Sequence, residues 1–109
     1  MDLNVIDGIV KVSACVCGKD GVISRVEEDS MYQFIHDRYP EYLKKRFESV
    51  LDEFFLEDIQ IETYISDVKN FGLNSFVVEL CRFSAGSDGL DIKENIALDK
   101  VKKMLGESK

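Results

Sequence analysis

The residues best suited to chemistry are the acids of the glycine-containing stretch CVCGKDGVISRVEEDS, at residues 15–30. It holds an Asp-Gly pair, an apolar residue and a glutamate further along the chain. Carboxylate oxygens are the ligands that hard divalent cations prefer, and glycine allows the sharp turn that a calcium loop requires. A calcium-binding loop and a plain turn between helices are therefore the two interpretations to be separated.

The spacing of the acids excludes an EF-hand calcium loop. Such a loop needs oxygen ligands at its first, third, fifth and twelfth positions and glycine at its sixth. With Gly21 at the sixth position, Val16 and Gly18 stand where two ligands are required. Only Asp20 and Glu27 remain as ligands, which is too few for this type of site.

A second stretch, AGSDGLDIKE at residues 85–94, repeats the pattern of CGKDGVISRVE at residues 17–27 and is one residue shorter. It also fails the EF-hand test, because Asn95 falls at the twelfth position when Gly89 is at the sixth. The flanking apolar positions correspond as well: Val12 to Leu80, Met31 to Leu98 and Phe34 to Val101. Such an internal repeat predicts two related helix-loop-helix hairpins.

Every residue of these turns has an ordinary structural role that requires no metal. Gly18 and Gly86 are predicted to end the preceding helices in the left-handed conformation. The Asp-Gly pairs at residues 20–21 and 88–89 are typical of chain reversals. Two capping boxes are predicted at the starts of the following helices, Ser24 with Glu27 and Asp91 with Glu94.

The two motifs GKDGVISRVE and GSDGLDIKE are similar to those of the TerB-like family of small helical tellurite-resistance and stress-response domains. This family is related to the N-terminal domain of certain membrane-anchored DnaJ-type co-chaperones. The resemblance covers most of the chain, from the first helix to the last. It implies an all-helical bundle in which the two turns lie near one another and their acids bind a divalent cation.

The resemblance also implies which residues would bind the ion. Carried over to this sequence, the ligands are Asp20, Glu27, Asp88 and Glu94, with Asp91 as an additional carboxylate in the shorter turn. These oxygens suit calcium, magnesium or manganese, bound weakly.

Hydrophobic periodicity predicts an all-α fold, a single domain over residues 1–109 with about six helices. Residues 3–17 have the widest apolar face, so this helix is expected at the centre. The other predicted helices are residues 24–39, a third starting at Pro40, a fourth capped by Asp58 and ended by residues 70–72, a fifth over residues 73–84, and a sixth using Ile96 and ended by Gly106.

Charge and composition limit the partners. The formal net charge is −7, so the average field repels phosphate backbones and anionic lipid surfaces. Nucleic acid and membrane insertion are not expected, whereas cations or a basic protein partner are. The acidic start MDLNVIDG is unlike a secretory signal, and three cysteines form no disulfide framework. A cytoplasmic location is the expectation.

Two further groups of residues could in principle do chemistry. Cys15 and Cys17 resemble a soft-metal pair, but residues two apart on a helix point to nearly opposite sides, so buried thiols are predicted, with Cys81 in the same core. His36 has no identifiable nucleophile or paired base and is expected to be exposed. The chain also lacks a phosphate-binding glycine loop, HExxH and a nucleophile elbow, so no enzyme is predicted.

Three surface features leave alternatives open. One of Phe54 and Phe55 must lie off the main apolar stripe, where it could fill a second core layer or a homodimer interface. The basic runs at residues 44–46 and 100–103 are either solvated helix faces or a docking patch for an acidic partner.

Two functions follow. The first is a non-enzymatic TerB-like module that binds a divalent cation through the acids of its two turns. The alternative is an interaction domain that docks a basic partner through its acidic surface without metal.

Overall fold

The structure, a computed structural model, describes residues 2–18, 23–87 and 92–106. Within these ranges the regular elements are helical, which confirms the predicted all-α class. They are α1 (Leu3–Cys17), α2 (Arg25–Arg38), α3 (Lys44–Leu56), α4 (Ile61–Val68), a 3-10 turn (Lys69–Phe71), α5 (Asn74–Gly86) and α6 (Ile92–Met104).

Helix α1 is the centre of the bundle, as its wide apolar face predicts. It packs against each of the other five α-helices. Its start is fixed by the Asp2 side chain, which accepts a hydrogen bond from the backbone nitrogen of Asn4 at 2.9 Å. Its valines and isoleucines are buried on several sides, because neighbours surround the helix on most of its circumference.

No described helix is long and apolar enough to cross a membrane. Helix α1, the longest of those described, has 15 residues, whereas a membrane span needs about 20.

Helix α2 lies against α5. Phe34 of α2 lies 5.4 Å from Phe76 and 5.3 Å from Phe83 of α5, and Tyr39, which follows α2, lies 5.5 Å from Phe76, all measured between ring centroids. This aromatic contact couples the helix that follows the first turn to the helix that precedes the second.

The repeat found in the sequence corresponds to matched burial. Three aligned pairs have both members buried: Val12 with Leu80, Met31 with Leu98 and Glu27 with Glu94. The fourth pair differs, because Phe34 is only partly buried whereas Val101 is fully buried. The correspondence between the two hairpins is therefore supported by the burial of these residues as well as by their spacing in the sequence.

Two predicted helix starts are wrong. Pro40 does not begin α3, because residues 39–43 form a turn in which Tyr42 is fully buried and its backbone nitrogen bonds Tyr39. The helix starts four residues after Pro40, at Lys44. Asp58 does not cap α4 either, since Gln60 holds that position and makes no side-chain cap bond.

Helices α1 and α5 end at Gly18 and Gly86 as predicted, but neither glycine adopts the predicted left-handed conformation. Gly18 has φ −92°, and Gly86 is the last residue of α5, without a positive φ. Gly18 is needed for space instead, because a Cβ there would lie 2.9 Å from the carbonyl oxygen of Ala14. The left-handed glycines are Gly72, which follows the 3-10 turn, and Gly106, which ends α6 as predicted.

Two apolar side chains depart from the expected core. Ile96 is 61% exposed, because the inward stripe of α6 starts at Glu94 and continues through Ala97, Leu98 and Val101. On α3, Phe54 packs partly buried against the core, whereas Phe55 is 54% exposed. Phe55 is thus the residue off the main stripe; its exposure does not fit a second core layer, and a subunit interface at Phe55 stays a prediction.

The closest approach of α1 to α4 depends on Gly8. A Cβ at this position would lie 2.9 Å from Cγ1 of the buried Val68. The isopropyl group of valine is stiff and cannot turn away easily.

Gly8→Ala should therefore change the free energy of unfolding differently in two backgrounds, Val68→Ala and the wild type. In Val68→Ala the substitution should raise the free energy of unfolding by about 1 kcal/mol, the helix-propensity gain of alanine over glycine. In the wild type that gain should be cancelled or reversed, since overpacking costs about 1–3 kcal/mol. Urea denaturation measures both, and an equal gain in the two backgrounds would contradict the contact.

Candidate functional site

Two of the five predicted cation ligands lie within the described residues. Glu27 is in the first turn of α2, and Glu94 is in the first turn of α6. Asp20, Asp88 and Asp91 lie outside the described residues, so the structure leaves their role as ligands a prediction. The geometry of the site is therefore built from the two glutamates and from the helices that bracket the turns.

Glu27 is held by the predicted capping box. The backbone nitrogen of Glu27 donates to Oγ of Ser24 at 3.1 Å, and the backbone nitrogen of Ser24 donates to Oε1 of Glu27 at 3.0 Å. The side chain is only 4% exposed. Capping thus fixes the carboxylate at the start of α2 and engages Oε1, while Oε2 lies outside the box.

Glu94 occupies the equivalent place in the second hairpin. It is 6% exposed, although its neighbours Lys93 and Asn95 are exposed. Burial of a carboxylate costs free energy unless hydrogen bonds or opposite charges compensate it. Two buried glutamates at matched positions therefore indicate a particular site, which the acidic composition of the surface alone does not.

The two glutamates act electrostatically on the same group, the thiol of Cys17 at the end of α1. Burial and, to a smaller extent, the carboxylates of Glu27 and Glu94 raise the pKa of Cys17 to about 12. Hydrogen bonds with the hydroxyls of Ser84 and Ser13 act in the opposite direction. One thiol of α1 thus lies within electrostatic range of the first turns of both α2 and α6.

A buried hydrogen bond connects the helices that lead into the two turns. Oγ of Ser13 on α1 lies 2.9 Å from Oγ of Ser84 on α5, and both residues are fully buried. Ser84 uses its one hydroxyl hydrogen on the carbonyl oxygen of Leu80. Ser13 is therefore the donor to Ser84, since a hydroxyl has a single hydrogen to give.

The electrostatic field where α1 and α5 end favours the binding of a positive charge. Helices α1 and α5 end beside the turns, and the carboxyl end of a helix carries a partial negative charge that adds to the field of Glu27 and Glu94. Among the described residues, no group of three or more His, Cys, Asp or Glu side chains could hold a metal ion. A complete ligand set therefore requires the turn aspartates.

The cysteines are suited to packing and not to nucleophilic chemistry. Cys17 and Cys81 are buried, as predicted, while Cys15 is half-buried. Burial also raises the pKa of Cys81, so both buried thiols stay protonated near neutrality. His36 is half-buried and lies against Tyr32, with 5.4 Å between ring centroids, so it is less exposed than expected.

Residues of both basic runs form ion pairs within the molecule. Arg46 binds Asp7, with 2.8 Å between its terminal nitrogen and Oδ2. In the second run, Lys100 pairs with Glu62 at 2.8 Å. These contacts favour the interpretation as solvated helix faces, and a docking patch for an acidic partner stays a prediction.

Two charged networks on α1 were not predicted from the sequence. Asp7 accepts from the Tyr42 hydroxyl at 2.7 Å as well as from Arg46. Lys11 donates to Glu57 at 3.0 Å, and the Tyr64 hydroxyl donates to the same carboxylate at 2.5 Å. The available signal was the spacing of Asp7 and Lys11, four residues apart on an otherwise apolar helix.

The pKa shifts in these networks have clear causes. The hydrogen bond from Tyr64 and then that from Lys11 lower the pKa of Glu57. Burial opposes the charge of Lys11, yet its bonds to Glu53 and Glu57 raise its pKa overall. Both groups are therefore charged across the neutral range.

No known protein family, curated protein or solved structure matches the chain. The TerB-like resemblance therefore rests on the two sequence motifs and stays a prediction.

The bond between the two serines gives an asymmetric mutational prediction. Ser84→Ala should cost about 1–3 kcal/mol of unfolding free energy, because it removes the bond to Leu80 as well as the bond with Ser13 in a buried site. Ser13→Ala should cost less, since Ser84 keeps its bond to Leu80. Urea denaturation of both single variants and the double variant measures this; equal single costs that add fully would contradict the assigned donor.

The raised thiol pKa values predict lower stability in alkaline solution. When unfolded, Cys17 and Cys81 ionise near their ordinary pKa of 9.0, whereas the native state keeps both protons. The unfolded chain then binds fewer protons, so the free energy of unfolding falls as pH rises through 9 toward 12. Between pH 7.5 and pH 9.5 the loss should be about 1–2 kcal/mol.

Urea titrations at the two pH values measure this loss. Cys15→Ser should leave it unchanged, and the double variant Cys17→Ala with Cys81→Ala should reduce it. A wild type that is equally stable at both pH values would contradict the protonated, buried thiols.

Proposed function

We propose that the protein is a cytoplasmic, non-enzymatic TerB-like stress-response module that binds a divalent cation weakly between its two Asp-Gly turns. Calcium, magnesium and manganese are the candidates, because the ligands would be carboxylate oxygens. The observation that carries this proposal is the pair of buried glutamates, Glu27 and Glu94, that act on one thiol where α1 ends.

The mechanism is electrostatic. Two buried carboxylates near one another repel, and an ion of charge +2 between the turns reduces that repulsion. In the proposed site, Asp20 and Asp88 supply further oxygens from the turns, with Asp91 beside them. Ion binding would then stabilise the ends of both hairpins together.

The competing hypothesis is an interaction domain that needs no metal and docks a basic partner through its acidic surface. It is supported by the net charge of −7. The two hypotheses differ in one measurable property, since only the first makes stability depend on a free divalent ion.

A calcium titration followed by amide NMR tests the proposal. We expect shifts confined to both turns and to the first turns of α2 and α6, and we expect Asp20→Asn with Asp88→Asn to abolish them. The melting temperature should fall on addition of chelator, because an ion bound only to the folded state stabilises it. Asp29→Asn, an exposed acid on α2, is the matched control and should change neither result.

Magnesium and manganese are titrated in the same way. If none of the three ions at millimolar concentration shifts amides in either turn, the metal hypothesis is wrong. Shifts in one turn alone would contradict a shared ion.

A further inference from the structure

A groove of about 390 Å³ lies beside the N-terminal half of α1, at the opposite end of that helix from the first turn. Its walls are α1, α4, the 3-10 turn and the segment that joins α3 to α4. No residue of α2, α5 or α6 lines it. It is therefore separate from the candidate cation site.

The groove is strongly acidic. Among the described residues that line it are four carboxylates, from Asp2, Asp7, Glu57 and Asp67, and one ammonium group, that of Lys11. Asp7 and Glu57 are bound by Arg46 and Lys11, as described above. Asp67 lines the groove, is exposed, and has no hydrogen-bond or ion-pair partner among the described residues.

The same groove presents apolar surface. Phe71 is 56% exposed and Ile59 is 42% exposed, and both line the groove beside the buried Val68. Large apolar side chains that are exposed next to a concave surface are typical of a binding site for another molecule. The occupant must therefore combine positive charge with an apolar group.

We propose that this groove docks a basic segment of a partner protein, a segment that contains lysine or arginine with an apolar residue between them. The cationic side chains pair with Asp67 and Asp2 at the edges of the groove. The apolar side chain covers Phe71 and Ile59. This surface acts independently of the cation at the turns.

Other occupants fit the groove less well. A second copy of the chain carries net charge −7, and Arg46, Lys100 and Lys103 of its basic runs already pair with acids in the same molecule. An anionic ligand would meet four carboxylates. A metal ion lacks a site, because the described residues include no suitable group of ligands.

The probe is a capped peptide of about nine residues made of Lys-Leu-Ser repeats, which spans about 30 Å when extended. The molecule itself measures 32 × 29 × 27 Å, so this length is sufficient. Amide NMR in the presence of chelator should show shifts at Gly8, Lys11, Asp67 and Phe71. Affinity should fall as salt is raised, because exposed charges are screened.

Asp67→Asn should weaken the peptide about threefold to fivefold, the effect expected of one exposed ion pair. Asp29→Asn, which removes the same charge from α2, should leave the affinity unchanged. A peptide with serine in place of leucine should bind more weakly, and one with glutamate in place of lysine should not bind.

Four results would overturn the proposal. The first two are the absence of amide shifts at millimolar peptide and shifts concentrated outside the groove. The third is equal weakening of peptide binding by Asp67→Asn and Asp29→Asn. The fourth is a set of groove shifts that depends on protein concentration alone, because the occupant would then be a second copy of the chain. Because the chelator removes free divalent ions, the result of the peptide titration does not depend on the result of the cation titration.

Discussion

The contact between α1 and α5 is the constraint on which the rest of the structure depends. Ser13 and Ser84 share a hydrogen bond in a fully buried part of this contact, where an unpaired hydroxyl would cost about 1–3 kcal/mol. The bond therefore restricts how the two helices slide or rotate against each other. The restriction therefore also fixes Cys17 and Gly86, the last residues of α1 and α5, relative to each other.

The same contact explains the charge at this end of the molecule. Glu27 is buried because capping needs its carboxylate at the start of α2, and Glu94 is buried at the matched place on α6. Both carboxylates act electrostatically on the thiol of Cys17, the last residue of α1. The groove beside the other half of α1 differs, because Arg46 and Lys11 already compensate two of its four acids. The molecule thus has two acidic regions with different chemistry.

The fold class and most helices were predictable because apolar residues at steps of three and four mark inward faces, as on α1 and α5. Local signals succeeded where one residue decides the outcome, as in the Ser24–Glu27 capping box and the left-handed Gly106. They failed where tertiary packing decides: Tyr42 inserts into the core and delays α3.

The candidate site was only partly predictable for the same reason. The sequence motifs indicated Glu27 and Glu94, but their burial and their shared effect on the pKa of Cys17 depend on the packing of helices that are distant in sequence. The Ser13–Ser84 bond and the networks of Asp7 and Lys11 likewise join residues that no short motif relates.

Paramagnetic broadening by manganese tests the central claim, that the two turns share one ion, most directly. Substoichiometric Mn²⁺ should broaden the amides around Cys17, Glu27 and Glu94 together, with the same dependence on ion concentration. Broadening that reaches only one hairpin, or that affects the two at different concentrations, would contradict a shared site.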